Sequence, residues 1–460
     1  MKRLLKNVWT ILLLTLLIVG VLGGCSKKEN NNQKDNNTQD NDDQKKEEIT
    51  IPFWLTPPGE QATKDFWEES IAEFNETNED GIYVDLQYVP ADAFDSKLKA
   101  AQANGTAPQL VYVGHAGAIM DGSQGLLRPL NDYIDSAIME DLYPNIREMI
   151  TTKDGTFYSI PMYVEPYSLL FYRKDLFVEA GLDPNKPPTT YDELIEYAKK
   201  LTTNRTFGLG IAGSNDAGWV NWASMASLGL NFISDDWSAA TVNNDISKKY
   251  LELHKELYSN EVVPAQPLSE YWDIQPLAEG RLAMQFNGSW AISRLLVDLK
   301  DVVDADNIGI ALTPTFTGIK EGDKVGALGG WGLGIDGKAK NPEAVAKVIT
   351  YLLLDNTERM AQFISEGYYA KLPVRESVNE LLANREDDKK IEDWYNLIVD
   401  KVIPYSDAEP VFPWDINWAF VVAMDNVIVN GMSVEDSLLQ CEKDINDYIN
   451  NNELSGKNPK

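Results

Sequence analysis

Cysteine and histidine are scarce in this 460-residue chain, which has two of each. Zinc sites of the usual spacing need clusters of these residues, so the sequence predicts none. No glycine-rich loop of the P-loop type occurs either. We therefore expect no zinc site and no cofactor, and the sequence identifies no metal-binding residues.

Basic residues are also in short supply. Lys and Arg number 41 against 71 Asp and Glu, which gives a formal net charge of -30 at pH 7. Such a surface repels phosphate backbones and anionic lipid headgroups. We therefore expect no nucleic-acid partner, and a neutral ligand is easier to accommodate than an anionic one.

A long hydrophobic run is missing as well. The apolar stretch from Val8 to Val21 is shorter than the roughly 20 residues that span a bilayer. Lys2 and Arg3 precede it, and this arrangement predicts a secretory signal peptide over residues 1–24. The small residues directly before Cys25 resemble the bacterial lipobox.

The lipobox resemblance implies that Cys25 is acylated, as in palmitate-bearing lipoproteins, and becomes the N-terminus after cleavage. Acyl chains would hold the protein at the extracellular face of the cell membrane. A plain signal peptide with an incidental cysteine is the alternative. Residues 26–47 contain no apolar side chain, so residues 25–48 are predicted to be a lipidated cysteine and a flexible linker. With Cys25 used in this way, no internal disulfide can form, and the combination indicates a Gram-positive type of envelope.

The remaining chain is long enough for two domains, and its pattern favours the α/β class. Strands are predicted over Ile49–Leu55, Ile82–Val89 and Leu110–Val113. A helix carrying Phe66, Trp67, Ile71 and Phe74 lies between the first two. A further helix is expected to begin at Asn341-Pro342.

Two local patterns indicate helix starts and a buried thiol. Thr190 and Glu193 have the spacing of a capping box. Ser433 is a second candidate cap, and the helix behind it has apolar residues at helical spacing that include Cys441. We therefore expect the Cys441 thiol to lie in a core rather than to act as a nucleophile.

Four segments carry a resemblance to a known family. They are SIPMYVEPYSLLFYRKDLF from Ser159, GLDPNKPPTTYDELIEYAKKLT from Gly181, EGRLAMQFNGSWAIS from Glu279 and GGWGLGIDGKAKNPEAVAKVITYLL from Gly329. Their content and order resemble the family 1 extracellular solute-binding proteins, over nearly all of the chain after Glu48. The resemblance implies two α/β lobes joined by hinges, like a periplasmic binding protein. It also implies a carbohydrate ligand in the cleft and an ATP-binding-cassette (ABC) permease as partner.

The same resemblance implies how the chain divides. Lobe one is predicted to comprise residues 49–162 plus 307–364, and lobe two residues 165–305 plus 370–460. The crossings between lobes are expected near Tyr163-Val164, Asn307 and Gly367. We expect a monomer that contacts the membrane only through its lipid anchor.

A sugar site needs aromatic rings that stack on C–H faces and polar groups that bind hydroxyls. Trp290, in the sequence NGSW, matches the position of a stacking tryptophan in the family's maltose-binding proteins. Trp331 lies among glycines that are expected to expose its ring. Trp219 and Trp222 resemble another aromatic pair of the family, with Trp219 favoured for binding and Trp222 for packing.

Three further tryptophans are candidates for the cleft. Trp418 has the spacing from Gly431 of another family tryptophan, and Trp414 follows Pro413 in a predicted loop. Trp54 ends the first strand, where open α/β sheets present ligand sites. Four others are interpreted as structural, namely Trp67, Trp237, Trp272 and Trp394.

The polar candidates are Glu165 and His115. Glu165 matches a glutamate that binds a sugar hydroxyl beside the hinge in maltose-binding proteins, and a carboxylate can accept two hydroxyls. A hinge salt bridge is the alternative role. His115 either reaches the ligand or caps its loop, and Ala116-Gly117 stand where maltose-binding proteins have an acidic and a basic ligand residue.

The resulting prediction is a non-enzymatic protein that captures an oligosaccharide by lobe closure. One alternative is a lipid-anchored glycoside hydrolase, which needs two carboxylates about 5 to 9.5 Å apart. Another is a binding protein of the same architecture for a peptide, a polyamine or a metal chelate. Polyamine sites also combine aromatic rings with carboxylates.

Overall fold

The protein was analysed as a computed structural model, and the structure describes residues 48–211, 227–270, 272–383 and 389–460. The strands found there are β1 Ile49–Leu55, β2 Ile82–Tyr88, β3 Leu110–Gly114, β4 Ser159–Pro166, β5 Leu169–Arg173, β6 Met284–Asn287, β7 Ile308–Ala311, β8 Gly326–Ile335 and β9 Ser406–Ala408.

Helices alternate with these strands along much of the chain, as expected for an α/β protein. They are α1 Gln61–Thr77, α2 Ala91–Asn104, α3 His115–Ser123, α4 Ala137–Asp141, α5 Pro144–Ile150, α6 Lys174–Glu179, α7 Tyr191–Leu201, α8 Asp245–Ser259, α9 Gln275–Ala278, α10 Ala291–Leu296, α11 Pro342–Ile349, α12 Thr357–Glu366, α13 Glu376–Leu382, α14 Lys389–Leu397, α15 Trp414–Ile428 and α16 Val434–Asn451. Short 3₁₀ or π turns occupy Ala305–Asn307, Thr350–Leu354, Ile398–Val402 and Ile403–Tyr405.

The strands form two sheets. The larger sheet has the order β2-β1-β3-β8-β4, and β9 pairs with the start of β8. Strand β1 is parallel to β2 and β3, whereas β8 is antiparallel to both β3 and β4. The smaller sheet has the order β6-β5-β7 and is antiparallel. The predicted α/β class is confirmed.

The core of the larger sheet follows from the patterns in β1 and α1. Ile51, Phe53 and Leu55 alternate along β1 and are buried, as expected for one face of a strand. Trp67 of α1 is 1% exposed, and its ring lies edge-on to that of Phe53 with the centroids 5.3 Å apart. The predicted strand and helix are therefore confirmed, and β2 ends one residue before the predicted limit.

A second core surrounds the smaller sheet and includes α7, α8, α15 and α16. Thr190 and Glu193 form the predicted capping box at the start of α7. The Ser433 side chain accepts a hydrogen bond from the Asp436 N–H and begins α16. Cys441 is 2% exposed in this core, which confirms a buried thiol.

The chain passes between the sheets at segments close to the predicted crossings. Strand β4 belongs to the larger sheet and β5, three residues later, to the smaller one. Strand β7 still pairs with β5, although the lobe prediction assigns residues from 307 onward to lobe one. Because β7 belongs to the smaller sheet and β8 to the larger one, the chain passes between the two sheets after Ala311. Val164 also bridges to Leu372, beside the passage expected near Gly367, and the lobe boundaries stay a prediction.

The described ranges contain neither a candidate membrane span nor a candidate metal-binding cluster. No helix there combines the length and the apolar character needed to cross a membrane. Nor do those residues contain a group of three or more His, Cys, Asp or Glu side chains placed to hold a metal ion.

Candidate ligand-binding site

Three predicted site residues meet at one end of the larger sheet. In the strand register, Trp331 of β8 lies opposite Gly114 of β3 and Tyr163 of β4. Glu165 lies opposite Gly329, two residues along the same pair of strands. His115 begins α3 directly after β3. This is the carboxyl end of β3 and β4, the edge at which open α/β sheets bind ligands.

The glycines beside Trp331 have a different role from the expected one. A Cβ at Gly330 would lie 2.2 Å from the Tyr163 carbonyl oxygen, and Gly330 has a φ of 148°. A Cβ at Gly332 would lie 2.3 Å from the Ile160 carbonyl oxygen. The glycines therefore allow the backbones of β8 and β4 to approach closely. The Trp331 side chain itself is half-buried.

The Trp331 ring is held by neighbouring aromatic side chains. It stacks on the Tyr112 ring, with centroids 4.8 Å apart and planes inclined by 18°. The Tyr112 hydroxyl lies 2.8 Å from the Tyr163 hydroxyl. Offset stacking and this hydrogen bond fix the ring orientation, so Trp331 presents a preoriented aromatic surface.

A buried charge cluster adjoins these rings. Glu165 is 5% exposed and Lys371 is 7% exposed. The Lys371 ammonium forms an ion pair with Glu60 and lies 4.0 Å from Glu165 Oε2. Thr63 Oγ1 donates a hydrogen bond of 2.8 Å to the Glu60 carboxylate. The Lys371 Nζ is also 5.0 Å from the centroid of the Tyr163 ring.

The Glu165 carboxyl group is poised to exchange a proton near neutral pH. Burial raises its pKa to about 7, since the charged form loses hydration. The charge of Lys371 opposes this rise, and the charges of Glu60 and Glu409 add to it. Glu165 Oε2 is buried and has no hydrogen-bond partner among the described residues. A buried acceptor of this kind favours a ligand that donates a hydrogen bond.

Glu409, which follows β9, is a second buried carboxylate nearby. Its Oε1 accepts a 2.7 Å hydrogen bond from the Ala116 N–H, in the first turn of α3. Its Oε2 accepts a 2.5 Å hydrogen bond from the Tyr167 hydroxyl. Burial raises its pKa to about 7, although both hydrogen bonds lower it. Glu409 therefore connects α3 to the segment between β4 and β5.

His115 is inaccessible to solvent. Its Nε2 lies 3.1 Å from the Tyr163 carbonyl oxygen, and its Nδ1 is buried without a hydrogen-bond partner in the described part of the chain. Burial lowers the pKa of His115 to about 4, against a smaller effect of the hydrogen bond. The imidazole is therefore neutral at pH 7 and connects β4 to the start of α3.

Trp290 lies just before α10 and is half-buried. Its ring is edge-on to that of Tyr167, with centroids 6.3 Å apart, and its Nε1 donates a 3.3 Å hydrogen bond to the Trp272 carbonyl. The adjacent Ser289 N–H donates to the Pro166 carbonyl. Trp290 is thus connected to the residue that follows Glu165.

The structural interpretation of Trp272 is wrong. Its side chain is 46% exposed, because it lies in an irregular segment before α9 that offers no helix or strand face to bury it. Trp67, Trp237 and Trp394 are buried, as expected.

The remaining candidates belong to other segments of the chain. Trp54 is half-buried in β1, and the Lys97 Nζ lies 3.9 Å from its ring centroid. Trp414 is the first residue of α15 and not part of a loop, because Pro413 occupies the cap position that precedes the first turn. Trp414 and Trp418 are 37% and 41% exposed, one helical turn apart. Trp219, Trp222 and Cys25 lie outside the described residues.

Several residues of this cluster are not among those expected from the sequence. They are tyrosines that contact the predicted aromatic rings or each other, and the acidic and basic partners of Glu165. The missed residues are Glu60, Tyr112, Tyr163, Tyr167, Lys371 and Glu409. One usable signal was the position of Lys371 close to the passage expected near Gly367.

The arrangement suits a ligand with both an apolar face and hydroxyl groups. An aromatic ring offers stacking, and buried carboxylate and ammonium groups offer strong hydrogen bonds. Together with the two sheets, it defines a two-lobed α/β binding protein. The sequence profile of the bacterial extracellular solute-binding proteins matches residues 58–358, and the chain belongs to this family.

Individual relatives agree with this assignment. The sn-glycerol-3-phosphate-binding periplasmic protein UgpB of Shigella flexneri is 25% identical over 357 residues, which cover 72% of this chain and 76% of the relative. The GacH receptor of Streptomyces glaucescens is similar in structure, with a TM-score of 0.71, 22% identity and coverage of 90% and 100%. The maltotriose-bound MalE domain of Bdellovibrio bacteriovorus gives a TM-score of 0.70, 20% identity and coverage of 87% and 100%.

Proposed function

We propose that this protein is an extracellular binding protein that captures a carbohydrate, an oligosaccharide in particular, and delivers it to an ABC permease. The observation that carries the proposal is the preoriented Trp331 ring next to the buried Glu165 carboxylate. An oligosaccharide has apolar C–H faces for the ring and hydroxyls for the carboxylate. The maltotriose-bound MalE domain, which shares the fold, is a precedent for such a ligand.

Capture by lobe closure supplies the mechanism. An open cleft admits the sugar, contacts from both lobes favour the closed form, and the closed form is what the permease recognises. No covalent step is required. The segments between β4 and β5 and around Leu372, which join the sheets, are the proposed hinges.

The charges at the site favour a neutral ligand. UgpB is named for an anionic ligand, but here Glu60 and Glu165 flank a single ammonium, that of Lys371, which is already paired with Glu60. The charge of Glu409 adds to the negative potential at Glu165. A phosphate at this position would face net repulsion. A polyamine would be attracted by the carboxylates but repelled by the Lys371 ammonium. It therefore ranks second to a neutral sugar as a candidate ligand.

Anchoring through Cys25 completes the proposal. The lipobox pattern and the polar residues 26–47 support a lipidated protein whose linker keeps the binding domain close to its permease. Metabolic labelling with a palmitate analogue, compared with a Cys25→Ser variant, tests this part. Label on the variant would contradict lipidation at Cys25.

The ligand class is tested by thermal-shift screening of the purified protein against maltotriose, other neutral oligosaccharides, mannitol, glycerol 3-phosphate and spermidine. A ligand that binds the native state raises the melting temperature. We expect the largest rise with a neutral oligosaccharide. A rise with spermidine or glycerol 3-phosphate alone would refute the sugar assignment, and turnover of an oligosaccharide by catalytic amounts of protein would indicate a hydrolase.

A further inference from the structure

A gap between two buried charges lies at the end of β4. The distance from Lys371 Nζ to Glu165 Oε2 is 4.0 Å, which is too long for a direct hydrogen bond. The two side chains are 8% and 7% exposed. Glu165 Oε2 has no hydrogen-bond donor among the described residues, although a buried acceptor without a donor costs free energy. The two groups therefore face each other at a separation that no direct hydrogen bond spans.

The backbone around Lys371 holds its ammonium group in place. Leu372 exchanges two backbone hydrogen bonds with Val164, at 2.9 and 3.1 Å. Tyr368 and Tyr369 have φ values of 54° and 55°, a conformation that is strained for a residue other than glycine. The ion pair with Glu60 restrains the side chain itself. Strain of this kind is typical of positions that serve a function.

We propose that Lys371 and Glu165 together bind one hydroxyl group of the ligand, with Lys371 donating to the hydroxyl oxygen and the hydroxyl donating to Glu165. An oxygen about 2.8 Å from both atoms fits between groups at this separation. The inference rests on the proposed carbohydrate ligand and adds a specificity-determining residue to its site.

This pairing discriminates between chemical classes of ligand. A hydroxyl both donates and accepts, whereas an ammonium group only donates and a phosphate or ether oxygen only accepts. An ammonium in the gap would face Lys371, and a phosphate oxygen would face Glu165. In either case, a charge of the ligand would face a like charge of the pair, so the pair rejects amines and anions. It also rejects deoxygenated sugars.

The groups around the pair determine how it responds to pH. Glu165 faces Lys371, Glu60 and Glu409, and the Tyr112 and Tyr163 hydroxyls lie in the same cluster. The Lys371 charge lowers the pKa of Glu165 and the two carboxylates raise it. Loss of Lys371 should therefore raise the Glu165 pKa. The ionised carboxylate accepts a stronger hydrogen bond from the hydroxyl than the neutral acid does, so binding should then weaken at a higher pH than in the wild type.

The test compares Lys371→Met with Lys371→Arg, Glu165→Gln and the Lys371→Met/Glu165→Gln double variant. Lys347→Met, which breaks an exposed ion pair with Asp80, is the matched control. Calorimetry measures affinity from pH 5 to pH 8 for the neutral oligosaccharide selected by the thermal screen, starting with maltotriose. Carbon NMR of the side-chain carboxyls measures the Glu165 pKa without ligand.

We expect Lys371→Met to weaken binding by about tenfold to a hundredfold, and its affinity to fall off at a higher pH. The double variant should lose less than the product of the two single losses, because both residues act on one hydroxyl. Lys371→Arg keeps the charge, so it should leave the Glu165 pKa at its wild-type value. Lys347→Met should change neither quantity.

Wild-type affinity and an unchanged pH profile in Lys371→Met would overturn the inference. The inference would also be overturned if the loss of affinity in the double variant equalled the product of the two single losses. If no carbohydrate binds the wild type, the proposed function fails, and an unchanged Glu165 pKa in Lys371→Met would then refute the pairing separately. Should Lys371→Met not fold, Lys371→Gln, which also removes the charge, takes its place in the same comparison.

Discussion

The end of the larger sheet and the start of α15 offer aromatic rings in opposite ways. Trp331 stacks on Tyr112, and the Tyr112–Tyr163 pair connects it to a buried charge cluster. Trp414 and Trp418 instead expose about two fifths of their side chains on one face of a helix. The first region is fixed before a ligand arrives, whereas the second offers accessible apolar surface.

This difference separates what each region contributes to recognition. Preoriented groups lose little freedom on binding, so they supply specificity through placed hydrogen bonds. Exposed rings supply apolar contact area, and such contacts tolerate differences in the structure of the ligand. We therefore expect substitutions at the sheet end to affect stability and specificity together. Substitutions on α15 should affect affinity alone.

The largest effect is expected for Gly330→Ala. The new Cβ would lie 2.2 Å from the Tyr163 carbonyl oxygen at a φ of 148°. Strain and overpacking together should lower the free energy of unfolding by about 3 kcal/mol. Denaturant unfolding measures this, with Gly59→Ala as control because no atom lies within 4 Å of its Cβ. Equal stability of the two variants would show that β8 and β4 are not closely packed.

The next largest effect is expected for Trp331→Ala. Removal of a half-buried ring that stacks on Tyr112 should cost about 2 kcal/mol of unfolding free energy and most of the sugar affinity. Trp331→Phe should recover part of both. Denaturant unfolding and calorimetry measure the two quantities. Loss of stability with full affinity would remove Trp331 from the site.

A smaller effect that depends on pH is expected for Glu409→Gln. The pKa of Glu409 rises to about 7 in the native state, so native protein binds this proton more tightly than unfolded protein. The wild type therefore loses stability as the pH rises from about 4.5 to about 7. The Glu409→Gln variant lacks this loss. As the pH rises, its free energy of unfolding relative to that of the wild type should therefore increase by on the order of 1 kcal/mol.

Unfolding of both proteins at pH 5 and pH 8 measures this shift. His115 and His254, whose pKa values burial lowers to about 4, gain stability over part of the same range. That contribution is common to both proteins and cancels in the difference. Glu252→Gln, at an exposed position of α8, is the control. A shift in the opposite direction would mean that Glu409 is ionised in the native state throughout.

The smallest effect on stability is expected for Trp418→Ala. Its ring is 41% exposed, so its loss should change unfolding free energy by less than about 1 kcal/mol. If α15 contacts the ligand, affinity should still fall about tenfold. Val429→Ala, at the exposed far end of the same helix, is the matched control. An unchanged affinity would place Trp418 outside the site and leave the sheet end as the main contact.

Local features of the fold were predictable from the sequence. Alternating apolar residues gave β1, helical spacing gave α1, and Thr190 with Glu193 gave the start of α7. These signals depend on residues that are neighbours along the chain. Trp414 was misplaced because a proline before a tryptophan occurs both in loops and before a first helical turn.

The candidate site was less predictable because its partners are distant in sequence. Lys371 pairs with Glu60 across 311 positions, and Glu409 accepts from Ala116 across 293 positions. Periodicity carries no information about such contacts. Glu165 could be named only through its resemblance to a family position, and Trp331 only from its flanking glycines. Neither signal identifies the charged side chains that lie beside them in the fold.

The position of β8 in the larger sheet has a consequence for folding. β8 lies between β3 and β4, yet it follows both of them in sequence, separated from β4 by the whole smaller sheet. Until residues 326–335 are present, β3 and β4 each keep an unpaired edge, which is prone to aggregation. Closing such long loops slows folding. Assembly of the larger sheet should therefore be a late and slow step, and a chain truncated before β8 should aggregate.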